Sequence, residues 1–300
     1  MVNMRRYQTQ QILKDLPKKM VFLMGPRQAG KTYLAKSLMS SYERPLYLNY
    51  DALADREIIH SQEWLLNTDL LILDELHKMP DWKNTLKGIY DTKPDGMHII
   101  VTGSARLDIF RQVGDSLAGR YFMHRLMPLS PAELHKTDNP VDLDRLVQRG
   151  GFPEPYLAED DVDADRWRRQ YVDSLLREDV LEFNSISNMR AILTLFEMLR
   201  SRIGSQCSFL SIARDLDVSP HTVKKYIDIL EALYVVFSIR PYSKNIARSL
   251  KKEPKLYCYD NGLVKGDVGA QFENLVAICL LKHVFALTDY TGKRYSLKYL

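Results

Sequence analysis

The sequence predicts an α/β fold: a parallel sheet within the first 135 residues, then a helical connector, a winged helix-turn-helix and an incomplete α/β tail. Three observations carry this reading. Five short apolar runs, KMVFLM (19–24), PLYLNY (45–50), DLLILD (69–74), HIIVT (98–102) and YFMHRLMPL (121–129), alternate with helix or turn signals. The shorter runs are apolar throughout, as strands covered by helices on both faces must be. A glycine-bearing turn at 25–32 stands between the first run and the helix-like YLAKSLMSSY, which is the strand-to-helix junction of such a sheet.

The elements after the sheet follow from capping and periodicity. PAEL (131–134) starts a helix, GGFPEP (150–155) makes a turn, and AEDDVDADRW gives an acidic, capped start to a helix running toward Asn184. A further helix spans about Asn188 to Arg200, with Ile192, Leu195, Phe196 and Leu199 at helical spacing. Then comes helix-turn-helix grammar. Ser208 is placed to cap a helix carrying Leu210, Ile212, Ala213 and Leu216. After the DVSP turn, Ser219 caps a second helix with Pro220 in its first turn and Val223, Ile227 and Leu230 as its buried stripe. His221, Thr222, Lys224 and Lys225 then face outward. The strands YVVFSIRP and PKLYCYD flank a basic stretch with Lys244, Arg248, Lys251, Lys252 and Lys255, the pattern of a wing. The expected segments are 1–135, 136–204, 205–262 and 263–300.

Composition sets the class. At 300 residues, with 45 % hydrophobic and 27 % charged residues, the chain has the balance of a globular protein and not of a disordered one. Cys207, Cys258 and Cys279 are widely spaced, so they suggest reduced thiols in a cytoplasm and no disulfide framework or metal-type pair. No uninterrupted run approaches the ~18–20 apolar residues of a membrane span, so no membrane role is expected. The net charge of +4 says less than its distribution, because residues 205–300 hold 14 basic against 9 acidic residues. That third is where DNA contact is expected, through Lys224, Lys225, Lys251 and Lys252.

The chemistry lies near the amino terminus. Gly25-Pro26-Arg27-Gln28-Ala29-Gly30-Lys31-Thr32 fits GxxxxGK[ST] in full, between a strand and a helix. Such a loop turns backbone N–H groups onto phosphate oxygens, Lys31 reaches the β- and γ-phosphates, and Thr32 ligates Mg²⁺. A magnesium carboxylate should end a neighbouring strand. DLLILDE supplies Asp74 for the metal and Glu75 to orient or deprotonate an attacking water. Thr102 and Ser104, closing the next strand, offer hydroxyls to that water or to the γ-phosphate. For a cation to offset charge on the transferred phosphoryl group, Arg106 and Arg120 compete, from this chain or a neighbouring subunit, and Arg120 is favoured. No NKxD guanine-reading motif is present, so ATP is expected over GTP.

Taken together, GPRQAGKT, LILDELHKMPDW, VTGSARL, SLAGR, GGFPE, PKLYCYDNGL and FENLVA resemble a prokaryotic family of AAA+-type ATP-binding proteins. The likeness covers nearly the whole chain. It implies an additional-strand P-loop NTPase core with ATP binding and hydrolysis, a winged helix, and a restriction-endonuclease-like segment of uncharacterised role. In that last segment Glu273 matches the lone acidic residue before a metal-binding strand. The sequence departs from the pattern by stopping at Leu300, before a later Asp or Glu-x-Lys, so DNA cleavage by these residues is not expected. The alternative to an ATPase is a DNA-binding regulator that nucleotide switches with little or no hydrolysis.

Overall fold

The first five strands form one parallel sheet, and its layering follows from side-chain alternation. The structure, a computed structural model, describes residues 6–64, 67–103, 117–135, 141–176, 188–245 and 252–300. β1 (Met20–Met24), β2 (Pro45–Asn49), β3 (Leu70–Asp74), β4 (His98–Thr102) and β5 (Tyr121–Arg125) lie in the order β2-β3-β4-β1-β5. β4 therefore sits between β1 and β3, as expected for an additional-strand core. β1 and β3 are buried along their whole length, whereas the edge strands β2 and β5 are mostly half-buried.

Successive residues of each strand point to opposite faces, so each strand feeds two cores. On one face Phe22, Leu71, Leu73, Ile99 and Val101 pack with Ile59 of the helix Leu53–Ser61 and with Trp82, Leu86 and Ile89 of the helix Trp82–Thr92. On the other, Val21, Leu23, Leu70, Ile72 and Ile100 pack with Ile12 of α1 (Thr9–Asp15) and with Leu34 and Ala35 of α2 (Lys31–Ser37). The result is helix, sheet, helix. All five strands run the same way, so their carboxyl ends open on one edge.

The chain divides into two compact units, Met1–Met127 with Ala286–Lys293 and Pro128–Phe285 with Arg294–Leu300. The segment expected over 263–300 is thus shared between them. In the second unit Asp160 caps a helix over Asp161–Ser174, and Asn188 caps one over Met189–Arg200. Ser208 and Ser219 accept hydrogen bonds from the N–H groups of Ser211 and Thr222, capping the helices Phe209–Leu216 and Pro220–Ala232 as the sequence predicts. Ile212, Ala213, Val223, Ile227 and Leu230 are buried, but Leu210 is exposed. β6 (Val236–Pro241) and β7 (Lys255–Cys258) pair antiparallel, and β8 (Lys298–Tyr299) joins β6 in parallel.

Several motifs that mark the resemblance meet in one buried polar network. Asp260 of YCYDNGL accepts from Arg168 Nε at 3.3 Å and from the Gly262 N–H at 3.2 Å. Gly150 of GGFPE has φ +77°, and a Cβ there would sit 1.9 Å from Asp260 Oδ1, so only glycine fits. Asn274 of FENLVA bonds to both backbone groups of Cys258 and to Asn261 Oδ1. These segments close the second unit around satisfied buried polar groups.

The last helix, Val268–Thr291, is long and apolar enough by length and composition to cross a membrane, a feature missed by looking for an uninterrupted apolar run. Two polar side chains within it are buried and satisfied by protein: Asn274, and Lys282, which bonds to the Pro128 carbonyl at 2.8 Å and to Glu133. Glu273 on the same helix accepts from Tyr257 Oη at 2.9 Å and pairs with Lys255 at 3.3 Å, which is a structural role.

Candidate functional site

The turn after β1 is shaped by two glycines. Gly25 has φ +145°, and a Cβ on it would lie 2.1 Å from the Leu126 carbonyl oxygen, so any side chain would push the loop off the end of β5. Gly30 has φ +93° and leads straight into α2. Arg6, buried, donates to the Ala29 carbonyl at 3.3 Å and to the Met127 carbonyl, bracing the loop from outside. Sequence reasoning did not single out Arg6; its neighbours Tyr7 and Gln8 gave no signal of the loop about 20 residues away.

Lys31 is buried, and its ammonium donates to the Gly25 and Pro26 carbonyls at 3.1 and 2.7 Å, folding back over the loop. Burial lowers its pKa to about 8, against the opposing pull of Glu75 and Asp74. A phosphate in the loop would restore the ammonium's stability, so ATP binding should take up a proton above pH 8. We therefore expect ATP affinity to be steady below pH 8 and to fall as pH rises beyond it, by calorimetric titration in buffers of different ionisation heat. An affinity that did not change between pH 7 and 9 would mean Lys31 does not meet the phosphates. Without nucleotide, the lowered pKa makes the folded state bind fewer protons than the unfolded one from about pH 8 to 10.5, so this group adds stability as pH rises through that window.

Thr32 and Asp74 come together, and Thr102, expected to offer its hydroxyl to the attacking water or the γ-phosphate, turns it onto Asp74 instead. Register sets Asp74 beside Thr102, and Thr102 beside Leu23 at the end of β1. Thr32 Oγ1 donates to Asp74 Oδ2 at 2.8 Å, and Thr102 Oγ1 donates to Asp74 Oδ1. Tyr47 Oη, a residue that sequence reasoning left in the core of β2, also donates to Asp74 Oδ2 at 2.8 Å. A carboxylate and a hydroxyl this close are hard oxygen donors that fit Mg²⁺ beside a phosphate chain.

Glu75 follows in a left-handed conformation, φ +55°, with its N–H donating to the Thr102 carbonyl at 3.2 Å. Such a conformation is uncommon for a non-glycine residue and turns the carboxylate out of the strand line. Burial raises its pKa; Lys78 and Lys31 oppose the rise and Asp74 adds to it. His77 Nε2 and Lys78 Nζ each stand 3.6 Å from Glu75 Oε2, and Lys78 also reaches Asp51 at 2.5 Å.

Arg120 is not brought to this edge. It precedes β5, its carbonyl accepts from the Met20 N–H at the start of β1, and its guanidinium forms a two-point pair with Asp91 at 2.8 and 2.9 Å. That is the amino end of the sheet, about 16 Å along the strands from the loop at ~3.3 Å per residue. As a cation acting within its own chain Arg120 does not serve. Ser104 and Arg106 lie outside the described residues.

Residues 17–135 match the AAA domain family. These residues hold the parallel five-stranded sheet and the glycine-bearing turn after β1. Beyond the AAA domain, residues 141–270 match a domain of unknown function, DUF8612. An uncharacterized protein of Mycobacterium tuberculosis is 29 % identical over 249 residues, covering 81 % of this chain and 55 % of its own length. One from Methanocaldococcus jannaschii is 25 % identical over 281 residues, covering 83 % and 62 %. The chain thus spans little more than half the length of these relatives. Among solved structures, the Walker-type ATPase PabY2304 of Pyrococcus abyssi matches with TM-score 0.54 and 13 % identity, over 90 % of this chain and 96 % of that one, a likeness of fold.

Proposed function

We propose that the chain binds ATP with Mg²⁺ and hydrolyses it to drive a conformational change. The observation that carries this is the meeting of Lys31, Thr32, Asp74 and Glu75 at the carboxyl edge of the sheet, with Thr32 and Asp74 2.8 Å apart. The backbone of Gly25 to Thr32, including Pro26, Arg27, Gln28 and Ala29, would wrap the phosphates, and Lys31 would exchange its carbonyl partners for phosphate oxygens. Thr32 and Asp74 would hold Mg²⁺, which when bound would supply positive charge against the phosphates. Glu75 takes a proton from the attacking water, a task its raised pKa suits, and Thr102 keeps Asp74 in place. The test is phosphate release from ATP by purified protein, with Mg²⁺ and with EDTA. Release that does not depend on Mg²⁺ would overturn the reading.

The motion is coupled to DNA, in this proposal, through a winged helix formed by the three helices from Met189 to Ala232 and the hairpin β6–β7. The supporting observation is that His221 and Lys224, on the Ser219-capped helix, and Lys252, beside the hairpin, are exposed, while Lys225 is half-exposed. Arg248 and Lys251 of the expected wing lie outside the described residues. Each lysine withdrawn from a DNA phosphate should flatten the salt dependence of binding by about one counterion. Lys224→Ala with Lys252→Ala is expected to weaken binding and reduce the slope of log K against log salt by about 2. An unchanged slope would point to a protein partner. A nucleotide-switched DNA regulator with little hydrolysis is the alternative, distinguished by DNA binding that follows ATP occupancy without phosphate release. Cys207, Cys258 and Cys279 are free, and burial pushes the first two thiols up to about 12, which suits a reducing cytoplasm.

A further inference from the structure

We propose that Tyr47 is a positioning residue for the metal-holding carboxylate, its hydroxyl fixing Asp74 so that Thr32 and Asp74 together receive Mg²⁺. The inference rests on the nucleotide reading above and adds to it a residue from the edge strand.

The geometry is specific to a tyrosine. Tyr47 pairs in register with Ile72, two residues before Asp74, so its side chain leaves the sheet on the same face as Asp74 but one step back. One step of two residues is about 7 Å, roughly the reach of a phenol, and Tyr47 Oη lies 2.8 Å from Asp74 Oδ2. A serine or threonine at 47 would fall short, and a phenylalanine would reach without donating. The ring is held in place: it packs against the core beneath α2, and the Lys36 ammonium of α2 lies 3.8 Å from its centre.

The need for such a group comes from the carboxylate's own freedom. The terminal torsion of an aspartate is broad, so the direction of its lone pairs is set by its donors. Asp74 has three hydroxyl donors, Thr102 on Oδ1 and both Thr32 and Tyr47 on Oδ2. Thr32 is the one that must also offer a lone pair to the metal. Thr102 and Tyr47 are then the two fixed donors, one on each oxygen, that stop the carboxylate turning.

The test is nucleotide binding, read separately from turnover. A fluorescent ATP analogue is titrated into wild type and Tyr47→Phe, with Mg²⁺ and with EDTA, and the Mg²⁺ concentration for half-saturation is measured at fixed analogue. We expect unchanged affinity in EDTA. The gain in affinity from Mg²⁺ should be cut about tenfold, and half-saturating Mg²⁺ should rise by a similar factor, the scale of a hydrogen bond to a charged group. The same Mg²⁺ response in both proteins would overturn the proposal. Equal losses with Mg²⁺ and EDTA, with a lowered melting temperature, would also overturn it by assigning Tyr47 to packing. Failure of the nucleotide reading shows separately, as wild type that does not bind the analogue.

Discussion

Glu75→Gln is expected to hold ATP as tightly as the parent and to lower phosphate release at least a hundredfold. The substitution keeps shape and hydrogen-bonding capacity but removes the lone pair that takes a proton from water, and a positioned general base contributes ~10²–10⁴ in rate. The loop amides do not depend on that carboxylate, and a bound phosphate would supply the pull on Lys31 that Glu75 gives in its absence, so binding survives. The raised pKa adds a second signature. Parental activity should fall as pH drops through a value above the ordinary carboxylate range, because protonation removes the base, and the variant should lack this limb. Turnover of the variant at the parental rate would assign the base elsewhere.

Lys31→Met should act at the step before. Lys31 is the described side chain already folded over the loop, donating to two of its carbonyls. Its loss removes a charge-assisted contact to the phosphates, which at about 3 kcal/mol corresponds to roughly a hundredfold in affinity. Stability should not follow. A buried ammonium whose pKa has been pushed down to about 8 opposes folding at neutral pH, so an apolar side chain of similar length should not lower the melting temperature of the nucleotide-free protein. Weakened ATP binding with retained stability would mark Lys31 as a ligand group. Unchanged binding would remove the loop from the site.

Much of the first unit was legible because its physics is local. Apolar runs bounded by turns gave all five strands, and the glycine pattern gave the loop. The Asp-Glu at the end of one run and the Thr at the end of the next gave the residues that parallel register sets side by side. Ser208 and Ser219 were legible as caps for the same reason. Arg120 was misplaced although the rule that corrects it was at hand, since a residue preceding a parallel strand lies at the edge away from the loop.

Other features needed the third dimension. Tyr47 sits in an apolar strand and looks like a core aromatic until register lines it up with Asp74. Arg6 acts on residues more than 20 and 120 positions away. GGFPE, YDNGL and FEN marked a resemblance without revealing that Gly150, Asp260 and Asn274 belong to one buried network. The last helix carries polar residues that break up its apolar run in sequence but are satisfied by protein contacts in the fold.

The central claim is that the amides from Gly25 to Thr32 enclose a triphosphate that Lys31 neutralises. Calorimetric titration of the purified protein with ATP and Mg²⁺ at neutral pH tests it most directly. Saturable one-site binding, weakened by EDTA and competed by ADP, is the result expected. A flat titration up to millimolar ATP would contradict it.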